Sequence, residues 1–201
     1  MRTKTSTACL LLLSFIILSC SERDDREGLA LYNQGKYEEA ISFFDQYLEG
    51  HPKDARAYYN RGRSYEELGK LEKAEASFKE AVMLEPKDAQ YKMSLGICQF
   101  KQKNYSYTVG NMEQILKEND RNVEAYILMG RSYSYMGEIQ EAIDAFDSAL
   151  RLDKENGRAY LHRGRIKSIA GLTGEGCADL KKAKNLGIEG ANELIKRHCA
   201  L

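Results

Sequence analysis

Residues 57–88 read AYYNRGRSYEELGKLEKAEASFKEAVMLEPKD, and the organisation of this stretch decides the fold. Tyr58, Gly62 and Tyr65 fall at i, i+4 and i+7, the spacing of one helical face, and Gly69 closes that helix. Leu71, Ala74, Phe78 and Ala81 form a second stripe at helical spacing, which Pro86 stops. Gly62 and Ala74 are small where two helices joined by a short turn have to cross closely, so the stretch predicts a helical hairpin.

The same arrangement recurs in both directions. Glycines stand at 28, 62, 96, 130 and 164, each 34 residues from the next with no insertion between them. Three other columns keep the register: Ala40, Ala74, Thr108, Ala142, Gly176; Phe44, Phe78, Met112, Phe146, Leu180; and Tyr47, Ala81, Ile115, Ala149, Ala183. A further glycine column at 35, 69, 137 and 171 fails only at Lys103, which Asn104 follows. A 34-residue period of this kind reads as stacked helix-turn-helix units, each burying its apolar face on its neighbours. Composition agrees. With 43% hydrophobic and 30% charged residues and only two prolines in 201, the chain is too apolar for disorder and too proline-poor for a sandwich of short strands.

Residues 57–88, and nearly as well residues 125–153 (AYILMGRSYSYMGEIQEAIDAFDSALRLD), resemble the tetratricopeptide repeat family. The resemblance implies an all-α, right-handed α-solenoid of five helix-turn-helix repeats at 21–54, 55–88, 89–122, 123–156 and 157–190, with a capping helix at 191–201. The first repeat has Asp24 where a large apolar residue is usual, so its first helix is expected to be frayed or partly a tether. The third is the most divergent, with Lys92, Lys103, Thr108 and Asp120 at motif positions, and is expected to be the weakest link. In the cap, Leu194 and Ile195 are expected to face inward over the last apolar surface.

The N-terminus reads as an export signal. Arg2 and Lys4 precede an eleven-residue apolar run, ACLLLLSFIIL at 8–18, which is too short for a spanning helix of roughly 20 residues. Ile17-Leu18-Ser19-Cys20 resembles a bacterial lipobox, which implies a signal peptide at 1–19 and lipidation of Cys20, so that the chain is held to a membrane by its N-terminal lipid. A charged tether, SERDDRE, runs from there to residue 27. Ser21 after the cysteine favours the outer membrane, on either its periplasmic or its surface face. Counted whole, the chain carries 30 basic and 30 acidic residues; cleavage before Cys20 removes two basic ones and leaves it slightly acidic. Neither balance gives the broad positive footprint of a nucleic-acid binder.

Among the remaining cysteines, Cys177 lies ten residues before the turn at Gly187 and Cys199 twelve after it. Antiparallel helices place them at nearly the same height, where they either form a disulfide or remain two thiols beside a frayed terminus. Cys98, next to Leu95 in register, reads as a small buried apolar residue. His51, His162 and His198 fall in different parts of the repeat and assemble neither a metal site nor a catalytic pair, and no phosphate-binding glycine loop is present. No cofactor is expected. An enzyme built on Cys98, or on His162 and Arg165, would lack a base, an orienting group and an oxyanion donor at any definable spacing.

Binding is expected on the first helices, which in the family line the concave surface. Tyr59, Met93, Ile127 and Leu161 make an apolar row at the repeat period. One turn later stand Arg63, Ile97, Arg131 and Arg165, and three residues before the row stand Arg56, Gln90, Glu124 and Arg158. Together they predict a groove with an apolar floor and arginines along one side, suited to a peptide segment of an envelope protein that offers apolar side chains and carboxylates. The competing expectations are that the row packs between helices while the arginines are simply solvated, or that a second copy fills the groove in a structural oligomer. The lysine and asparagine clamp of chaperone-tail-binding family members is not reproduced by Asp25, Leu29, Gln90 and Ser94; Asn60 alone matches.

Overall fold

A computed structural model describes residues 25–199. The expected signal peptide, Cys20, Asp24 and most of the charged tether lie outside the described residues, as do 200 and 201 at the end of the cap. The described chain is eleven α-helices and no strand, in five hairpins and a final helix. First helices are α1 (Arg26–Asn33), α3 (Ala55–Glu67), α5 (Ala89–Lys101), α7 (Val123–Met136) and α9 (Gly157–Ile169). Second helices are α2 (Tyr37–Gly50), α4 (Leu71–Leu84), α6 (Tyr105–Glu118), α8 (Ile139–Leu152) and α10 (Thr173–Asn185), and α11 (Ala191–His198) follows. Each helix packs on its sequence neighbours, and successive first helices touch one another, which is the one-dimensional stacking of a solenoid.

The columns acquire physical meaning in the core. Phe78 and Phe146 are fully buried, and a Cβ placed on Gly62 or Gly130 would lie 2.7 or 2.8 Å from the facing ring. In the third repeat Met112 fills the same role, its Cε 2.6 Å from where a Cβ on Gly96 would stand. In the fifth, Gly176 replaces the usual alanine and Leu180 the usual phenylalanine. A Cβ on Gly164 there would meet the Gly176 carbonyl at 2.8 Å, so the smaller plug goes with a closer helix crossing.

Turns and caps follow the period too. Gly35, Gly69, Gly137 and Gly171 take positive φ, and so does Lys103 at +66°, the position where the glycine column fails. Asp54, Asp88, Asn122 and Asn156, again 34 residues apart, cap the first helices by accepting the backbone N–H three residues on. Each such cap contributes about 1 kcal/mol. The divergent third repeat loses no partner through its substitutions: the buried Lys92 ammonium meets the Glu118 carboxylate at 2.9 Å, and the Thr108 hydroxyl donates to the Gly96 carbonyl at 3.2 Å.

The two ends differ from the middle. The first helix α1 has eight residues against 13 or 14 in the other first helices. Its N-cap Asp25 is buried and gripped by Arg56, with Nε to Oδ2 and Nη2 to Oδ1 both 2.6 Å. At the other end α11 rests on α10 and α9 with Ala191 buried, while Leu194 and Ile195 are half-buried. Cys177 and Cys199 are joined as a disulfide that ties this cap to α10, their Cα atoms 5.7 Å apart.

Three substitutions test this packing by thermal or denaturant unfolding. Gly130→Ala forces a methyl group into the Phe146 ring and is expected to cost about 1–3 kcal/mol. Gly110→Ala, in the middle of α6 with nothing within 4 Å of the added Cβ, is expected to gain about 0.5–1 kcal/mol by stiffening the unfolded chain. For the cap, Cys199→Ser is expected to lower stability by about 3 kcal/mol through loss of a closed loop of 22 residues. Peptide mass after alkylation without reductant should show neither Cys177 nor Cys199 labelled in the wild type.

Candidate binding pocket on the first helices

The predicted apolar row does not behave as one row. Tyr59 is buried, its ring 4.8 Å from Tyr91 and 5.8 Å from Phe78, and its hydroxyl accepts a hydrogen bond from the Gln90 amide at 3.0 Å. Tyr91, in a column that also holds Ala57, Ala125 and Ala159, packs on the Tyr59 ring, and Ile127 of the same row is buried too, so part of the row belongs to the packing between helices. Tyr59 is therefore a core residue, contrary to its expected place on the groove floor. Leu161 is half-buried on α9 and does not line the pocket described below.

The arginines are likewise unequal. Arg63 lies over the Tyr32 ring, 4.2 Å from its centroid, and its Nη2 donates to the Tyr32 hydroxyl at 2.9 Å; that hydroxyl in turn donates to Glu67 at 3.2 Å. Arg56 is spent on Asp25, and Arg158 pairs with Glu124 one repeat away. These three hold successive repeats together, so the continuous free arginine edge is corrected to two residues, Arg131 and Arg165. Among the described residues neither has a carboxylate within ion-pair distance, and the Nε of Arg165 is the one buried side-chain nitrogen or oxygen without a hydrogen-bond partner. Arg131 stacks on Phe100 at 4.4 Å, and Arg165 lies 5.9 Å from the Tyr135 ring centre.

Beside these two arginines lies a pocket of about 550 Å³ between α5 and α7. Met93, Ile97, Phe100, Ile127, Leu128 and Tyr135 form its apolar wall, with Tyr105 from the start of α6 closing one side. Phe100, Tyr105 and Tyr135 make an aromatic cluster: the two tyrosine rings stack at 5.0 Å, and Phe100 meets each edge-on at 5.3 and 5.5 Å. Its charged lining is Lys101, Lys103, Arg131 and Arg158 against one acid, Glu124, which Arg158 already holds. Lys101 is paired with Glu66. The pocket thus unites Met93, Ile97, Ile127 and Arg131 of the predicted groove, with Arg165 at its α9 edge, and leaves out Tyr59, Arg63 and Leu161.

Phe100, Tyr105 and Tyr135 were not singled out by the sequence reading. Their signal was present for two of them: Tyr135 shares its column with Asn33, Glu67, Lys101 and Ile169, a large ring at a mostly polar position, and Phe100 shares its column with Glu66, Ser134 and Ser168 but also with Tyr32, the ring that lies under Arg63 as Phe100 lies under Arg131. Tyr105 sits in an ordinary apolar column with Tyr37, Leu71 and Ile139 and gives no such sign.

Other candidate groups are structural. Cys98 is buried, with its thiol donating to the Leu71 carbonyl at 3.3 Å, and burial pushes its pKa up to about 11, far from a reactive thiolate. His162 packs against Phe146 with ring centres 5.8 Å apart. Burial first, then the positive field of Arg131, Arg165 and Arg158, pulls its pKa down to about 4. Burial and the neighbouring Arg158 and Arg165 guanidinium groups also lower Arg131, partly offset by Tyr135. Among the described residues no group of three His, Cys, Asp or Glu side chains would hold a metal ion, and no helix is long and apolar enough to cross a membrane.

The class defined by this architecture is a helical-hairpin solenoid with a side-chain pocket on its row of first helices. Residues 26–85 match the family described as Tetratricopeptide repeat, and residues 78–149 match the one described as Anaphase-promoting complex, cyclosome, subunit 3. The chain is similar to Hsp70-Hsp90 organizing protein 3 of Arabidopsis thaliana, 27% identical over 104 residues that cover 52% of this chain and 19% of that protein. It spans about a fifth of the length of this and similar curated relatives. Among solved structures, MamA superposes with a TM-score of 0.75 at 24% identity, covering 80% of this chain and 94% of its own. YrrB, described as a TPR protein with an unusual peptide-binding site, superposes at 0.73 and 20% identity, covering 84% and 88%. At such identities these two likenesses establish the shared solenoid fold.

The electrostatics of His162 give a pH dependence. Its folded pKa lies below the ordinary 6.5, so the unfolded chain takes up a proton that the folded chain refuses. The stabilisation is complete above pH 6.5 and is lost as pH falls from 6.5 toward 4. At 1.36 kcal/mol per unit it amounts to about 3 kcal/mol at most. Denaturant unfolding at several pH values should show this loss in the wild type and a flatter profile in His162→Gln.

Proposed function

We propose that the chain is a non-catalytic interaction scaffold, held to a membrane by a lipid on Cys20, that binds a segment of an envelope protein on its concave first-helix surface. The pocket between α5 and α7 carries this reading: an apolar cleft of about 550 Å³ with unpaired arginines beside it is a surface built to be covered. The fold supports it, since stacked helical hairpins present a long face with separately variable positions, and a structural relative with the same fold is described as having a peptide-binding site. The lipobox-like Ile17-Leu18-Ser19-Cys20 after an eleven-residue apolar run supports the tether and the export it requires. A partner within the envelope follows from those two together, with a role in envelope assembly as the resemblance implies.

Both halves have direct tests. Cys20→Ala is expected to move the protein from the membrane pellet to the soluble fraction and to abolish labelling by a palmitate analogue. A photo-crosslinking residue at position 101, on the pocket rim, is expected to capture a discrete partner from intact envelopes. Adding Ile97→Asp, which puts a charge on the exposed edge of the apolar wall, should remove that product. An adduct that persists unchanged with Ile97→Asp would end the groove reading.

A further inference from the structure

The charge around the pocket says more about its occupant than the apolar wall does. Five cations stand on or beside it: Lys101, Lys103, Arg131, Arg158 and Arg165. Internal acids satisfy two of them, Lys101 through Glu66 and Arg158 through Glu124. Among the described residues no acid is within ion-pair distance of Lys103, Arg131 or Arg165, and whereas Arg63, the other arginine of the column, donates to the Tyr32 hydroxyl, Arg131 and Arg165 have no such acceptor. A guanidinium group costs free energy when it is desolvated without acceptors, and the buried Nε of Arg165 lacks one altogether. Both arginines also lie near aromatic rings that line the pocket, Arg131 4.4 Å from the Phe100 centroid and Arg165 5.9 Å from that of Tyr135, and a guanidinium beside a ring keeps N–H groups able to fork onto an anion.

The geometry points to a two-part recognition site for a partner segment in which one bulky apolar side chain enters between Met93, Ile97, Ile127 and Tyr135 while a carboxylate close to it in sequence is taken by Arg131 and Arg165. This rests on the groove reading above and names the chemistry of its occupant. The occupant is a segment of another protein carrying an acidic residue within about a helical turn of an aromatic or branched aliphatic one. Charge complementarity selects the acidic class, and the pocket volume, within the roughly 300 to 1,000 Å³ of ligand clefts, suits side-chain insertion rather than a flat contact. His162 supplies an internal reporter. Burial is the main cause of its low pKa and the field of Arg131, Arg165 and Arg158 adds to it; that second part is weakened when a carboxylate neutralises two of the three.

The test uses the full-length chain, as its cells process it, and an array of acetylated, amidated decapeptides. Each carries one Phe, Leu or Trp with Asp or Glu within three positions, and is compared with the same peptide bearing Asn or Gln. Carboxylate peptides are expected to bind at least ten-fold more tightly than their amide partners. That preference should fall below two-fold in Arg131→Gln/Arg165→Gln, persist in Arg63→Gln, and return in part in Arg131→Lys/Arg165→Lys. An additional arm with free C-termini separates a terminal carboxylate from a side-chain one. In histidine NMR, the best peptide should raise the pKa of His162 from about 4 toward 6.5, with His162→Gln assigning the signal.

Equal binding of acid and amide peptides, or an unchanged preference in the double glutamine variant, would overturn the proposal. So would self-association in sedimentation that vanishes in that variant, because the pocket would then hold a second copy. If the crosslink at position 101 still depends on Ile97 while the acid preference is absent, the groove reading stands and the carboxylate site alone is wrong. If the Ile97 dependence is absent as well, both fall.

Discussion

The whole solenoid depends on one contact made five times: a glycine on each first helix lets a large side chain from the second helix lie directly on the backbone. Phe44, Phe78, Met112, Phe146 and Leu180 sit where a Cβ on Gly28, Gly62, Gly96, Gly130 or Gly164 would stand at 3.0 Å or less. Glycine in a helix costs about 1 kcal/mol relative to alanine, and burying a large apolar side chain returns about 1.5–3. The exchange is favourable only if the plug fits, so the glycine is kept in all five repeats and the residue one turn before the plug changes with the plug. Where the plug shrinks to Leu180 that residue shrinks to Gly176, and where it becomes the flexible Met112 that residue becomes Thr108, whose hydroxyl is absorbed by the Gly96 carbonyl.

That constraint explains what the sequence made legible. A contact repeated at a fixed spacing leaves a column, and columns can be read without knowing three-dimensional neighbours: helix order, hairpin turns and the cap all follow from the 34-residue period. Even the failure at Lys103 is understandable after the fact, since the turn still takes the left-handed conformation at φ +66° and the residue there simply bears the cost. The side-chain caps at Asp54, Asp88, Asn122 and Asn156 were equally periodic. They mark the same helix starts that the glycine register implied.

Residue pairs between repeats are harder to read, because the partner lies about 31 to 34 positions away in a column of its own. Nothing in the arginine columns distinguishes Arg56, held by Asp25, or Arg63, held by Tyr32, from Arg131, which is held by no acid. Tyr59 illustrates the same difficulty for apolar positions. Its column runs Asp25, Tyr59, Met93, Ile127 and Leu161, and of the apolar members Tyr59 and Ile127 are buried while Met93 and Leu161 are only half-buried. Assigning function to a column presumes that its members share surroundings, and in a repeat protein the neighbours drift as freely as the column itself.

The pocket arises where drift accumulates. Most of its unusual members come from the third repeat or face it: Ile97 where the column has arginine, Phe100 and Tyr135 at positions otherwise mostly polar, and Lys103 in the turn. Ile97 in place of an arginine removes a charge from the cleft and lets the α5 wall become apolar, while Phe100 and Tyr135 give Arg131 and Arg165 flat surfaces to lie against. In a globular core such changes would propagate. A solenoid confines them, because each unit touches only its neighbours and the glycine-and-plug contact of the third repeat lies beneath α5, away from the altered face. The divergence that marks this repeat as the weakest match to the pattern is therefore compatible with an intact core, and it is the property expected of a unit that carries the proposed binding site.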